Sequence, residues 1–171
     1  VEDERFDSLV YSQDFGFNHA NAILDVGFRD GEIYVRDELY VYERDTTEII
    51  EMARARGLEG RRRMWCDSAE PDRIRMWQKA GFRAQGVRKE QGSVRAQIDY
   101  LKGLKLHIHP RCVNTIKEIQ GWKWKKDPQT GLYLDEPVEF QDDAMAALRY
   151  SVEDLRRHRG SRGPVLKPAG Y

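Results

Sequence analysis

The residues of this 171-residue chain whose type and position could do chemistry are carboxylates closing short apolar runs. Asp14 closes Leu9-Val10-Tyr11-Ser12-Gln13, and Asp67 closes Arg63-Met64-Trp65-Cys66. Both runs read as strands, the second as a short buried parallel one. If the two strands are neighbours, both carboxylates emerge at the same edge of a sheet. Asp142 and Asp143 open a late helical run, where the helix macrodipole favours negative charge. Three acidic groups brought from distant positions to one point repel one another, and such a cluster persists only with cations. Hard oxygen donors suit Mg²⁺ or Mn²⁺. A pair of such ions, ~3.5–4 Å apart, serves in-line attack on a phosphodiester. Any one of these aspartates taken alone reads as a helix cap or a solvated strand end. The chemistry needs their convergence, and that rests on strand order.

Other chemistries are excluded by what is missing. There is no Gly-x-x-x-x-Gly-Lys-Ser/Thr phosphate loop and no dinucleotide-type glycine fingerprint after the first strand. Two cysteines, Cys66 and Cys112, cannot staple a fold of this size and fit a reducing compartment. Cys66 falls on a buried strand and reads as core. The four histidines, His19, His107, His109 and His158, are scattered, which disfavours a structural zinc site. His107 and His109 share one side of a strand and read as surface groups or as supports behind a site.

The elements that must position the carboxylates follow from periodicity. Strands are expected over residues 9–15, 20–28 and 32–42, the last two joined by an Arg29-Asp30-Gly31 turn. Thr46 or Thr47 can cap a helix running to Gly57. The strand over 63–66 leads to a helix with Pro71 in its first turn and Gly81 as its stop. A strand over 82–87, a helix over 93–102, a strand over 105–109 and a helix over 113–120 come next. Trp122-Lys123-Trp124-Lys125 alternates like an exposed strand, and residues 127–131 form a turn. A last helix runs from Asp142-Asp143 to about Arg157. This order predicts an α/β protein with one mixed sheet, its first three strands antiparallel and the later ones parallel, flanked by helices. One domain is expected over residues 1–158, with 1–8 the remnant of an interdomain linker and 159–171 a disordered tail. The chain does not begin with Met and reads as a piece of something longer. No apolar run approaches the ~18 residues of a membrane helix.

The formal net charge is zero, with 29 basic and 29 acidic side chains, but the distribution is uneven. Residues 1–53 carry 4 basic and 14 acidic groups, residues 54–126 carry 19 and 7, and residues 127–171 carry 6 and 8. A basic middle third is the footprint of a polyanion-binding surface. Its principal contributors are Arg61, Arg62, Arg63, Arg73, Arg75, Arg83, Arg88, Lys89 and Arg95. Phosphate-directed contacts of this kind bind nearly independently of sequence and weaken steeply with salt. The stretch 122–131, with Lys123 and Lys125, is a second candidate contact, although it reads more simply as a hairpin packed on the domain by its tryptophans.

Four local strings are more specific. Tyr11-Ser12-Gln13-Asp14-Phe15-Gly16-Phe17, Cys66-Asp67-Ser68-Ala69-Glu70-Pro71, Lys89-Glu90-Gln91-Gly92-Ser93-Val94 and Asp142-Asp143-Ala144-Met145-Ala146-Ala147-Leu148-Arg149-Tyr150 occur in that order. Over roughly residues 8–155 the chain resembles the C-terminal nuclease domain of the large terminase subunit of tailed bacteriophages. The resemblance implies a ribonuclease H-like fold and a Mg²⁺- or Mn²⁺-dependent endonuclease that cuts concatemeric viral double-stranded DNA during packaging into the prohead, by two-metal-ion hydrolysis.

It also implies metal-ligand places for Asp14 and Asp67. Glu70 would stand close behind them, and Lys89 would hold a phosphate or polarise the attacking water. Implied partners are double-stranded DNA, the ATPase domain of the same full-length protein, the small terminase subunit and the portal, in the host cell cytoplasm and not in the mature virion. The third ligand place departs from the family pattern, Asp/Asn-His-x-x-Asp-Ala-x-Arg-Tyr. Asp143 stands at the His position and Ala146 at the later Asp position. Residues i and i+3 share a helix face, so Asp143 can supply the missing carboxylate, with Asp142 the reserve. The alternative is a catalytically weakened or inactive module that guides DNA and docks on the packaging motor. Another ribonuclease H-like nuclease, such as a junction resolvase, shares the carboxylates without explaining the strings around Asp67 and Arg149.

Overall fold

The computed structural model describes residues 5–138 and 141–159; for Asp135, His158 and Arg159 only the backbone is considered. Eight strands and six helices are present among these residues. In chain order they are β1 Ser8–Asp14, β2 Asn21–Arg29, β3 Glu32–Val41, α1 Thr46–Ala55, β4 Arg63–Cys66, α2 Pro71–Lys79 and β5 Arg83–Gly86. These are followed by α3 Ser93–Lys102, β6 Lys105–Ile108, α4 Val113–Gly121, β7 Trp124–Lys126, β8 Tyr133–Pro137, α5 Asp143–Ser151 and α6 Glu153–Arg159.

Six strands form one mixed sheet in the order β5-β4-β1-β2-β3-β6. β1, β2 and β3 pair antiparallel, while β4 joins β1, β5 joins β4 and β6 joins β3 in parallel. This is the mixed sheet expected from the element order, with helices on both faces. The β2–β3 hairpin turns on Asp30 and Gly31, both at positive φ, which glycine adopts without a Cβ penalty.

Central strands covered on both sides should be apolar at successive positions, with alternate residues serving different cores. Val10, Leu24 and Trp65 enter one core, together with the buried residues of α5. Their chain neighbours Tyr11, Ile23, Met64 and Cys66 enter the other, with Ile49, Ile50 and Ala53 of α1 and Ile74 and Trp77 of α2. Cys66 is core, as its position implies, and burial pushes its thiol pKa up.

Four details differ from the sequence reading. The cap of α1 is Asp45 rather than a threonine: its side chain accepts the Glu48 N–H while the Glu48 carboxylate accepts the Asp45 N–H. The last helix is broken at Val152, and the Glu153 carboxylate that opens α6 is buried and accepts the Arg88 N–H at 3.1 Å. Residues 133–137 form a strand, β8, paired with β7. Residues 5–8 belong to the fold: the Asp7 N–H donates to the Phe28 carbonyl, and the Phe6 ring packs on Gly27 and edge-on to Tyr34. The remainder of the expected linker, residues 1–4, and residues 160–171 of the expected tail lie outside the described residues. No helix of the described residues is long and apolar enough to cross a membrane.

Candidate functional site

β1 and β4 lie side by side in parallel, with Gln13 opposite Cys66, so the next residues, Asp14 at the end of β1 and Asp67 just beyond β4, stand together at one edge of the sheet. The Asp67 N–H donates to the Gln13 carbonyl at 3.2 Å, extending the pairing one residue past β4. Alternation sets the direction of both side chains: Val10 and Trp65 belong to the α5-side core, and Asp14 and Asp67 follow them by four and two residues. α5 packs across β1 and β2. Its small residues Ala144, Ala146 and Ala147 allow a close approach, and its N-terminus delivers Asp143 to the same edge.

Asp143 is held from several sides. The His19 Nδ1 lies 2.7 Å from its Oδ1 and the Tyr40 hydroxyl 3.3 Å from its Oδ2. Tyr40 donates more closely, at 2.6 Å, to Glu118 Oε2. Glu118 Oε1 accepts the Met145 N–H at 3.0 Å, serving the first turn of α5 that its own N-cap residue Asp142 leaves without a side-chain cap. Burial raises the pKa of Glu118 from its ordinary value and, together with the bond to Glu118, that of Tyr40.

The electrostatics of the edge follow from crowding. Burial, and then the charges of Asp67, Asp143 and Asp142, raise the Asp14 pKa from 3.8 to about 8; Arg149 offsets part of this. Burial and the charges of Asp14 and Asp67 raise the pKa of Tyr150. Lys89, at the loop beyond β5, places its ammonium 2.6 Å from Asp67 Oδ1. One ligand atom each from Asp14, His19 and Asp143 lies within 4.8 Å of the others. This donor set, mostly anionic oxygen and mutually repelling, fits a divalent cation. Asp67 and Asp142 act on the same carboxylate.

His19, Tyr40 and Glu118 were not visible as site residues in the sequence. They come from the β1–β2 loop, β3 and α4, and none lies in a string with chemical character of its own. His19 stood among the scattered histidines. The one local trace is Gly16, where a Cβ would meet His19 Nδ1 at 2.6 Å and the Ala20 carbonyl at 2.4 Å. His107 and His109 lie elsewhere: His107 stacks on Tyr34 and bonds Glu32 at 2.7 Å, and His109 contacts Arg111.

The expected DNA-contacting residues divide between the two ends of the sheet. Arg88 and Lys89 follow β5 at the carboxylate edge, and Arg73 stands in the first turns of α2 with its guanidinium over Phe15. Arg75, on the same helix, is exposed and 3.5 Å from Asp72. Arg61, Arg62, Arg63 and Arg83 stand at the opposite end, where β4 and β5 begin. Arg62 is closed off, its side chain 8% exposed over the Tyr11 ring and 3.0 Å from Asp25. Arg63 pairs with Asp154 at 2.8 Å, and Arg83 donates to the Arg61 carbonyl. Arg95 pairs with Asp99 and, with Lys102, flanks the Trp124 ring. The β7–β8 hairpin therefore packs on α3 through a tryptophan, with Lys125 paired to Glu136 and Lys123 beside it lining a pocket with Trp122.

The chain is 27% identical over 156 residues to the PBSX phage terminase large subunit of Bacillus subtilis (strain 168), covering 82% of this chain and 33% of that protein. It thus spans about a third of the curated relative. Its fold is similar to the g2p (large terminase) nuclease domain of bacteriophage SPP1, solved with bound Mn, at a TM-score of 0.79 with 23% identity over 90% of this chain and 92% of that one. It is also similar to the P22 large terminase nuclease domain, at a TM-score of 0.69 with 16% identity over 91% and 84% of the two chains. These likenesses show a shared fold. The model of the family described as the terminase RNAseH-like domain matches residues 14–154, and the chain belongs to that family.

Proposed function

We propose that this domain is an endonuclease that cuts concatemeric viral double-stranded DNA as genomes are packaged into proheads. The observation that carries the reading is the side-by-side placement of Asp14 and Asp67 at the ends of parallel strands beneath the N-terminus of α5, where Asp143 completes an acidic group. Asp14, Asp67 and Asp143, with Asp142 in reserve, would hold Mg²⁺ or Mn²⁺, two ions in the loaded state. Such ions supply Lewis acidity to the scissile phosphate and acidify the attacking water. The protein's own part is positional and electrostatic. Tyr40 and Glu118 fix Asp143 and the helix end that carries it. Lys89 neutralises Asp67 until a phosphate arrives, and then offers it a positive charge at the carboxylate edge.

DNA would approach this edge along Arg73, Arg75, Arg88 and Lys89, with Arg95, Lys123 and Lys125 beside α3. Arg61, Arg63 and Arg83 lie at the far end of the sheet and would meet only a duplex that wraps around the domain. The closed setting of Arg62 removes it from the contact surface. The remaining partners in this reading are an ATPase domain of the same polypeptide, a small terminase subunit and a portal, met in the host cytoplasm.

A guiding module without cutting activity rests on Ala146, which is buried in the α5-side core one turn after Asp143 and offers no ligand. Plasmid cleavage with Mn²⁺, Mg²⁺ and EDTA separates the two. The nuclease reading expects metal-dependent cutting that Asp14→Asn abolishes. Equal cutting by that variant rejects the acidic site. A large gain on Ala146→Asp would show that Asp143 does not replace the missing carboxylate.

A further inference from the structure

The loop between β1 and β2 brings an imidazole to this edge that the carboxylate reading does not use. Two features hold the loop in place. The Asn21 side chain accepts from Gln13 Nε2 at 3.2 Å and from the Gly16 N–H at 3.4 Å, while the Phe17 carbonyl accepts the Glu43 N–H. Gly16 leaves room for the His19 ring, since any Cβ there would collide with it. The ring is thus placed by the backbone around it, although its side chain is 60% exposed.

Both partners of His19 Nδ1, Asp143 Oδ1 at 2.7 Å and the Ala20 carbonyl at 3.2 Å, are acceptors. The neutral ring therefore carries its proton on Nδ1 and its lone pair on Nε2. A cation shared by Asp143 and the ring would take the place of that proton, so the donor is Nδ1, the nitrogen that faces the carboxylate. A ring nitrogen already lies within 4.8 Å of ligand oxygens of Asp14 and Asp143.

We propose that His19 is a cation-contacting and metal-selecting residue of this site, adding a nitrogen donor that favours Mn²⁺ over Mg²⁺. The inference rests on the acidic metal site proposed above and names its selectivity. Mg²⁺ demands near-octahedral oxygen coordination and sheds water reluctantly, whereas first-row transition ions accept imidazole readily. With oxygen donors alone, the site would distinguish the two ions less.

The experiment uses the full 171-residue chain with each metal alone. Mn²⁺ and Mg²⁺ affinities are measured by titration calorimetry for the wild type, His19→Gln, Asp14→Asn and Asp67→Asn, and the Mn²⁺-loaded proteins are examined by electron spin-echo envelope modulation. The expected result is a ¹⁴N coupling in the wild type that His19→Gln abolishes. The Mn²⁺ over Mg²⁺ preference should fall ~10-fold or more in the same variant, the range seen when a metal-supporting group is lost. If the coupling is absent from the wild type or survives in His19→Gln, or if the preference is unchanged while the aspartate variants lose Mn²⁺, the role of His19 is overturned and the acidic site stands. If the aspartate variants bind Mn²⁺ as the wild type does, the site itself falls, and His19 with it.

Discussion

Glu38, at the junction of β3 and α4, and Asp14, at the edge of β1 and β4, are both carboxylates withdrawn from solvent, in opposite surroundings. Glu38 accepts four hydrogen bonds, from the N–H and Nδ2 of Asn114 at 2.8 and 3.0 Å and from the N–H and Oγ1 of Thr115 at 2.9 and 2.6 Å. Its charge satisfies the open N–H groups of a helix start, which is a structural task. Among the described residues no hydrogen-bond donor reaches the Asp14 carboxylate, and its strongest charged neighbours are other acids. A buried acid surrounded by donors is complete as it stands. One surrounded by acids is poised for a cation.

The comparison can be broken most sharply through activity. Asp67→Asn should reduce Mn²⁺-dependent plasmid cleavage by on the order of 10³-fold or more. Glu38→Gln, compared per folded molecule, should leave the cleavage rate within a few-fold. Equal losses would erase the distinction between the two acids.

Stability should sort them the other way. Glu38→Ala leaves four donors without their acceptor and should cost about 2–4 kcal/mol in urea denaturation. Asp14→Asn removes a repelled charge and should stabilise the metal-free protein at neutral to alkaline pH. A shift of ~1 kcal/mol corresponds to ~2–4 °C in Tm at this size.

The pH dependence sharpens this further. Because the folded Asp14 pKa stands near 8 instead of 3.8, its contribution to stability is complete below pH 3.8 and is lost as the pH rises through about 8. The wild type should lose stability over this window relative to Asp14→Asn. Mn²⁺ should raise Tm more at pH ~8.5 than at pH ~6, since cation binding competes with the proton. Parallel pH profiles for the two proteins would show that Asp14 is not repelled in the way described.

The smallest effects belong to the cations. Arg62→Ala, which empties a site between Asp25 and Tyr11, should cost about 1–2 kcal/mol and leave the salt dependence of DNA binding unchanged. Lys89→Ala should do the reverse, with little change in stability and a salt slope lower by ~1. Equal changes in salt slope for the two variants would show that position relative to the carboxylate edge does not decide which cations meet DNA.

Much of the fold was legible because its signals are local. β4 and α3 fall on the residues that apolar runs and helix periodicity mark. The strand β8 was missed because Tyr133-Leu134-Asp135-Glu136-Pro137 has neither an apolar run nor clean alternation, and it is a strand only through its pairing with β7. Helical pattern is continuous across Val152, and the break between α5 and α6 accompanies a buried Glu153 that bonds the backbone of Arg88, sixty-five residues earlier. The Asp45 cap lay one residue outside the two threonines, whose side chains compete for the same role.

By itself the sequence determined which residues end strands in carboxylates and that cations are concentrated in the middle third. It also determined a mixed α/β order with antiparallel strands first. These properties are written in neighbouring residues, where alternation and capping act. Only the tertiary structure decided that β1 and β4 adjoin, that α5 sets Asp143 over their ends, and that Tyr40, Glu118 and His19 surround it. It also divided the arginines between the two ends of the sheet. Those relations join positions as far apart as residues 19 and 143, and the physical cause is packing: α5 buries its small-residue surface on β1 and β2, and its N-terminus then has one place to go.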